Sequence, residues 1–191
     1  MSVDSEILEQ ASAAVRNGEL IGVPTDTLYG IAADPFNEDA LARIFEVKGR
    51  PGVKPLAILV ADLEQGQTLA AFSDRALELA EKHWPGALTL VLPKLATTPL
   101  WLGDVPKKTI GLRCPDHPDT RAFLLTTGPL AVTSANVAGQ SAVADDEAAQ
   151  ELFGPDIAVY LPGEALGDAA STILDLTQPA EWVLRDGPVS P

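Results

Sequence analysis

The chain is 191 residues long and 46% hydrophobic, with 27 acidic against 13 basic residues and a formal net charge of −14. That length suits one domain with a substantial core, and the apolar content excludes a disordered chain. The acid excess argues against a broad duplex-binding face, which needs a basic surface, but a few cations focused in a cleft can still hold a small anion.

Cys114 is the only cysteine. It excludes an intrachain disulfide, fits a reducing compartment and is expected to be a small buried apolar residue. The opening MSVDSEILEQ lacks a basic segment followed by a long apolar run, so it does not read as a secretory signal. No apolar run approaches the length of a membrane span. The expectation is a soluble, cytoplasmic protein without membrane association.

Val3, Ile7, Leu8, Ala11 and Val15 recur at helical spacing, with Ser2 or Asp4 as cap and Asn17-Gly18 as stop. Leu20–Val23 reads as a short buried strand, ended by Pro24, which cannot donate to a sheet ladder. Thr25, Asp26, Thr27, Tyr29 and Gly30 then pack hydroxyls, a carboxylate and a phenol into the turn that leaves the strand. Such turns are where α/β sheets place ligands, although a turn that only satisfies its own backbone fits these residues equally well. Asn37 caps a helix with Glu38 and Asp39 in its first turn, Leu41, Ile44 and Phe45 on its apolar stripe, and Gly49 as its stop.

A Gly/Pro loop, 48–55, follows, and Leu56–Ala61 reads as a strand. Ser73 opens a helix through Ala76, Leu77 and Ala80, and Trp84-Pro85-Gly86 turns the chain into the strand Leu88–Leu92. Residues 94–108 are a Pro/Thr-rich excursion whose position between strands makes it a candidate lid. Thr109–Arg113 is a strand, Pro115–Pro118 opens a helix, and the strand Leu130–Val132 runs into Thr133-Ser134-Ala135-Asn136. Asp145 caps a helix ending near Gly154; Ile157–Leu161, Ser171–Leu176 and Trp182–Leu184 read as strands before Arg185-Asp186-Gly187. Alternating strands and helices predict one α/β domain over residues 1–191 with a mixed or largely parallel sheet.

Lys48, Arg50 and Lys54 put three cations in seven residues of an otherwise acidic chain. The helix dipole accounts for Lys48, but Arg50 and Lys54 lie beyond the helix and point to phosphate or carboxylate binding. Ser134 and Asn136, at i and i+2, can face one side of an extended segment and fix a ribose, phosphate or amino-acid group, or serve an ordinary turn. Arg113 ends its strand and needs a carboxylate partner or a ligand; Thr109 shares its face. Ser171 and Arg185 are weak signals individually. No GxxxxGK[ST] or GxGxxG occurs, and two histidines with one cysteine make a poor soft-metal inventory, so no metal site is expected. The tryptophans read as packing residues, since no basic stripe accompanies them.

In order along the chain, PTDTLYG (24–30), KGR (48–50), KPL (54–56), WPGALT (84–89), TIGLRCP (109–115), TSANVAG (133–139), STILDL (171–176) and RDG (185–187) resemble the threonylcarbamoyl-AMP synthase family, the YrdC-type domain. The resemblance implies a twisted mixed sheet flanked by helices around a concave, cation-lined ligand cavity. It implies synthesis of L-threonylcarbamoyl-AMP and pyrophosphate from L-threonine, bicarbonate or CO₂, and ATP carrying Mg²⁺. Partner proteins would then transfer the threonylcarbamoyl group to tRNA, with direct nucleic-acid binding by this chain weak or absent.

Residue by residue, the resemblance assigns Lys48, Arg50, Ser134 and Asn136 to the catalytic set. It assigns ATP to Arg50, Lys54, Thr109, Asn136 and Arg185, with Lys48 beside them, and threonine to Thr27, Arg113, Ser134 and Ser171. The sequence departs from the family pattern at Leu59, where many members carry a histidine, and at Ala87, Ala138 and Ala144. The alternatives are a carbamoyl-adenylate-forming module, which usually comes with further domains, an RNA-binding protein, and a nucleotide-binding relative without synthase activity. With its end at Pro191, the chain is expected to be the single-domain form, without the extra C-terminal domain of some members.

Overall fold

The computed structural model describes residues 4–49 and 55–191. The helices are α1 (Ser5–Arg16), α2 (Glu38–Val47), α3 (Leu63–Gln67), α4 (Asp74–His83), α5 (Pro118–Thr127) and α6 (Asp146–Phe153). The strands are β1 (Ile21–Val23), β2 (Gly30–Ala33), β3 (Ala57–Leu59), β4 (Leu88–Pro93), β5 (Thr109–Arg113), β6 (Leu130–Ser134), β7 (Val159–Tyr160), β8 (Thr172–Asp175) and β9 (Trp182–Arg185). The expected caps are in place. Asp4, Asn37, Ser73 and Asp145 each accept from a first-turn backbone N–H, at 3.0, 3.1, 3.3 and 2.8 Å.

Among the described residues the strands form one nine-stranded sheet in the order β7-β1-β2-β6-β3-β5-β4-β8-β9. Only β1–β7, β3–β5 and β4–β8 pair in parallel; the other five pairings are antiparallel. The sheet is therefore mixed, and the largely parallel alternative is overturned. The reversal comes early, where the polar turn after β1 leads into the antiparallel β2. Gly-Ile-Ala-Ala carries too little β-branched character to read as a strand from sequence, and α3 is too short to show a helical period. The strand expected over 157–161 contracts to Val159–Tyr160.

Side chains alternate across the sheet and divide its faces. On one face, Ile31 and Ala33 of β2 pack with Ala40 and Ile44 of α2 and Ala149 and Phe153 of α6. On the same face farther along, Leu88, Leu90, Leu92, Ile110, Leu112 and Leu174 pack with Leu79 and Ala80 of α4. On the opposite face, Ile21 and Val23 of β1 lie under Ala11 and Val15 of α1 and Phe123 and Leu124 of α5. That second layer reaches on to Leu130 of β6 and Leu59 at the end of β3 and stops there. Over β3, β5, β4 and β8 the second face opens into a cleft.

The excursion after β4 is fastened at its base. The Lys94 ammonium donates to the carbonyls of Pro99, Leu100 and Leu102 at 3.0, 2.9 and 2.8 Å, and Thr98 Oγ1 donates to Leu69 O at 2.7 Å. Of the tryptophans, only Trp84 packs as expected, edge-on to Phe72. Trp101 on the excursion and Trp182 on the edge strand β9 are exposed, because no element among the described residues covers either. Cys114 is buried as expected, which pushes its thiol up to about 11. No helix among the described residues is long and apolar enough to cross a membrane.

Candidate functional site

The open half of the sheet carries a cavity of about 470 Å³, lined among others by Thr27, Arg113, Ser134, Ser171 and Arg185. Five residues from five separate stretches of sequence thus meet in one space. A second chamber of about 230 Å³ adjoins it through the shared lining of Leu56, Ala57, Thr89, Ile173 and Leu184. Thr109 lines that chamber with Lys107, Asp104 and Asp175.

Arg113 is 6% exposed at the end of β5. Register places it beside Leu59 of β3, so an apolar wall flanks the guanidinium. Its Nε donates to Gly86 O at 3.0 Å, Nη1 to Thr27 Oγ1 at 2.6 Å, and Nη2 to Asp26 Oδ1 at 2.5 Å. Burial pulls this guanidinium below the usual arginine range; Asp26 opposes that shift and nearby Arg185 adds to it. Gly86 is required where it stands, because a Cβ there would come within 2.5 Å of His83 O.

The turn 24–30 divides its labour. Thr25 Oγ1 donates to Leu28 O at 2.7 Å and accepts from the Thr27 and Leu28 N–H groups, so it closes the turn. Thr27 lines the cavity together with Thr25 and also accepts from Arg113. Tyr29, read with this turn from sequence, is instead fully buried and donates to Leu161 O at 2.8 Å. Burial is the main reason its phenol is pushed well above the usual tyrosine range.

Across the cavity, Arg185 Nε donates to Ser171 O at 2.8 Å and Nη2 to Ser171 Oγ at 3.1 Å. Ser171 Oγ in turn lies 2.8 Å from Thr89 Oγ1. Burial lowers the Arg185 guanidinium's pKa. Among the described residues no carboxylate pairs with it. Gly187 holds this corner close, since a Cβ there would sit 2.4 Å from Thr172 N.

Lys48 and Asn136 stand behind the lining rather than in it. The Lys48 ammonium, on a residue only 3% exposed, donates to Ser134 O, to Asn136 O at 2.9 Å and to Asn136 Oδ1 at 3.0 Å. Asn136 Oδ1 also accepts from Ser134 Oγ at 2.6 Å, while its Nδ2 donates to Val137 O and Gln140 O at 3.0 and 2.9 Å. The side-chain amide is thereby fully occupied. Lys48, Ser134 and Asn136 are thus one hydrogen-bonded unit in which Lys48 clamps the turn after β6. Arg50 and Lys54 lie outside the described residues.

Sequence reasoning missed Thr89, the hydroxyl that touches both chambers. Its one available signal was a polar residue inside the apolar run Leu88–Leu92. It also gave Asp26 no partner, because residues 26 and 113 are far apart in the chain. Among the described residues no group of three or more His, Cys, Asp or Glu is gathered as a metal site would require.

A family model for Sua5, YciO and YrdC proteins, described as "Telomere recombination", matches residues 13–187. A Mycobacterium tuberculosis protein provisionally named as a threonylcarbamoyl-AMP synthase is 41% identical over 182 residues, covering 94% of this chain and 83% of that protein. The threonylcarbamoyl-AMP synthase of Pyrococcus abyssi is 37% identical over 93% of this chain but 53% of its own length. The crystal structure of P. abyssi Sua5 complexed with L-threonine superposes with a TM-score of 0.88 at 36% identity, covering 95% of this chain and 54% of that one. This chain therefore spans about half of the archaeal protein. Escherichia coli YciO superposes equally well, at 0.88 with 27% identity, covering 96% of this chain and 90% of that one.

Proposed function

Because the chain belongs to the Sua5/YciO/YrdC family, we propose that it is an L-threonylcarbamoyl-AMP synthase. It would join L-threonine, bicarbonate or CO₂, and ATP into threonylcarbamoyl-AMP and pyrophosphate for the t6A modification of tRNA. This makes it a nucleotidyltransferase of the cytoplasm whose adenylate passes to partner proteins that act on tRNA. The observation that carries the reading is the meeting of two guanidiniums in one cavity. Arg113 is balanced by Asp26, while Arg185 has no acid partner among the described residues. An arginine that lines a cavity, even from an exposed edge strand, and has no acid partner there is a ready donor to an anionic ligand.

In this reading Arg113 receives the threonine carboxylate, and the hydroxyls of Thr27, Ser134 and Ser171 surround its small polar body. Arg185, with Arg50 and Lys54, takes the phosphates of ATP, and Mg²⁺ accompanies the nucleotide. Thr109 places part of the nucleotide toward the second chamber. The threonine amine adds to CO₂, its proton passing to water or bicarbonate. A carbamate oxygen then attacks the α-phosphorus, and the bond to pyrophosphate breaks in line. The protein's contribution is to align two anions and to neutralise charge developing on the phosphate. Lys48 contributes its charge from behind the wall and keeps Ser134 and Asn136 in register.

Pyrophosphate release, measured with ATP and Mg²⁺ while threonine and bicarbonate are each present or omitted, tests this. Release that needs both is the expected result. Release indifferent to threonine overturns the reading in favour of carbamoyl chemistry or simple hydrolysis.

A further inference from the structure

We propose that Asp26 is the positioning residue of the carboxylate pocket, holding Arg113 in the orientation that presents its free N–H groups to a ligand. The inference rests on the reading that Arg113 takes the amino-acid carboxylate. Arg113 has five N–H groups. Three are directed at fixed acceptors on three elements: Gly86 O, Thr27 Oγ1 and Asp26 Oδ1. The plane of the guanidinium is thereby set, and one N–H remains on each terminal nitrogen. That pair matches the two oxygens of a carboxylate.

Of the three acceptors only Asp26 carries charge. The pair is deeply placed, the Arg113 side chain 7% and the Asp26 side chain 12% exposed. Asp26 is not part of the cavity lining and so acts through Arg113 rather than on a ligand. Its place next to Thr27 is the second element of the device: one turn supplies both the arginine's counterion and a hydroxyl of the pocket. Arg185, across the same cavity, pushes in the opposite sense, since a second cation favours any movement of Arg113 away from it. Without the carboxylate, two neutral oxygens would have to hold a buried cation against that repulsion.

The test is calorimetric titration of wild type, Asp26→Asn and Asp26→Glu with L-threonine and with L-threoninamide, which lacks the carboxylate. Wild type is expected to prefer the acid. Asp26→Asn should lose about tenfold of that preference, the scale of one charge-assisted hydrogen bond, with ATP affinity nearly unchanged. Asp26→Glu, which keeps the charge but shifts it by a methylene, should fall between them and also serves if the asparagine variant does not fold. An acid-to-amide ratio equal to wild type in either folded variant overturns the proposal. So does an equal weakening of acid, amide and ATP, the mark of a merely structural role. A wild type indifferent to acid against amide removes Arg113 from the carboxylate site, and the positioning role goes with it.

Discussion

The two halves of the sheet obey the same alternation and are finished differently. Every residue of β1 and β2 is buried, because α1 and α5 close one face and α2 and α6 the other. In β5, β4 and β8 only one face is closed, by Leu90, Ile110, Leu112 and Leu174 against α4. Their other face, with Thr89, Gly111, Arg113 and Ile173, looks into the two chambers. Dry packing is continuous where both faces are covered, and the cavities lie where the second layer of helices is missing. A polar side chain on a sheet face is tolerable only where water, a partner or a ligand can reach it.

That contrast can be broken most strongly from the closed half. Ile31→Ala, at a fully buried position of β2, should cost about 2–5 kcal/mol in chemical denaturation. The threonine affinity of the fraction that remains folded should stay that of wild type. A comparable barrier effect without the stability loss is expected from Arg185→Gln in the open half. Pyrophosphate release should fall about 100-fold, the scale of losing a charge-stabilising donor. The melting temperature should move little, because Arg185 is exposed and the partners it leaves are two Ser171 oxygens rather than a carboxylate.

The boundary between the halves should be sensitive to pH. His117 caps α5, its Nδ1 accepting from Thr120 N at 3.4 Å, and Thr120 Oγ1 donates to Pro24 O at 2.6 Å, tying the helix to the site turn. Burial lowers the His117 pKa, against the opposing pull of Asp119, Asp26 and Asp116. Below the ordinary histidine range, near pH 6.5, the unfolded chain therefore binds a proton that the folded one refuses. Stability should fall as pH drops through that range, by at most about 1.4 kcal/mol per pH unit for this one group. His83 shifts in the same direction, also through burial, so the decisive measurement is the difference between wild type and His117→Asn. A pH slope identical in the two would sink the assignment. The smallest effect is expected of Thr89→Val, which removes the hydroxyl 2.8 Å from Ser171 Oγ. It should weaken threonine binding by about 1 kcal/mol, the net worth of an ordinary hydrogen bond, and leave folding intact.

Much of the fold, in both halves, was legible in the sequence wherever its evidence is local. Asn37, Ser73 and Asp145 announce helix starts within a few residues of the groups they cap. Leu88–Leu92 and Thr109–Arg113 read directly as strands. What was lost had weak local character: β2, made of glycine, isoleucine and two alanines, and α3, only five residues long. Missing β2 hid the early reversal of the chain and with it the antiparallel bias of the sheet.

The site divides along the same line. Residue types and their ordered motifs were enough to select Thr27, Arg113, Ser134, Ser171 and Arg185, all of which line the main cavity. The same motifs assigned Lys48 and Asn136 to the catalytic and ATP sets, and the fold adds that their polar atoms bind each other and the turn after β6. Nor could spacing reveal that Asp26 faces Arg113, or that Thr89 bridges to Ser171. By itself the sequence determined which groups are available, because side-chain chemistry and local period are properties of the chain. Tertiary structure alone decided which of them meet and which remain open to a ligand, because each donor can be satisfied by any acceptor that packing brings within about 3 Å.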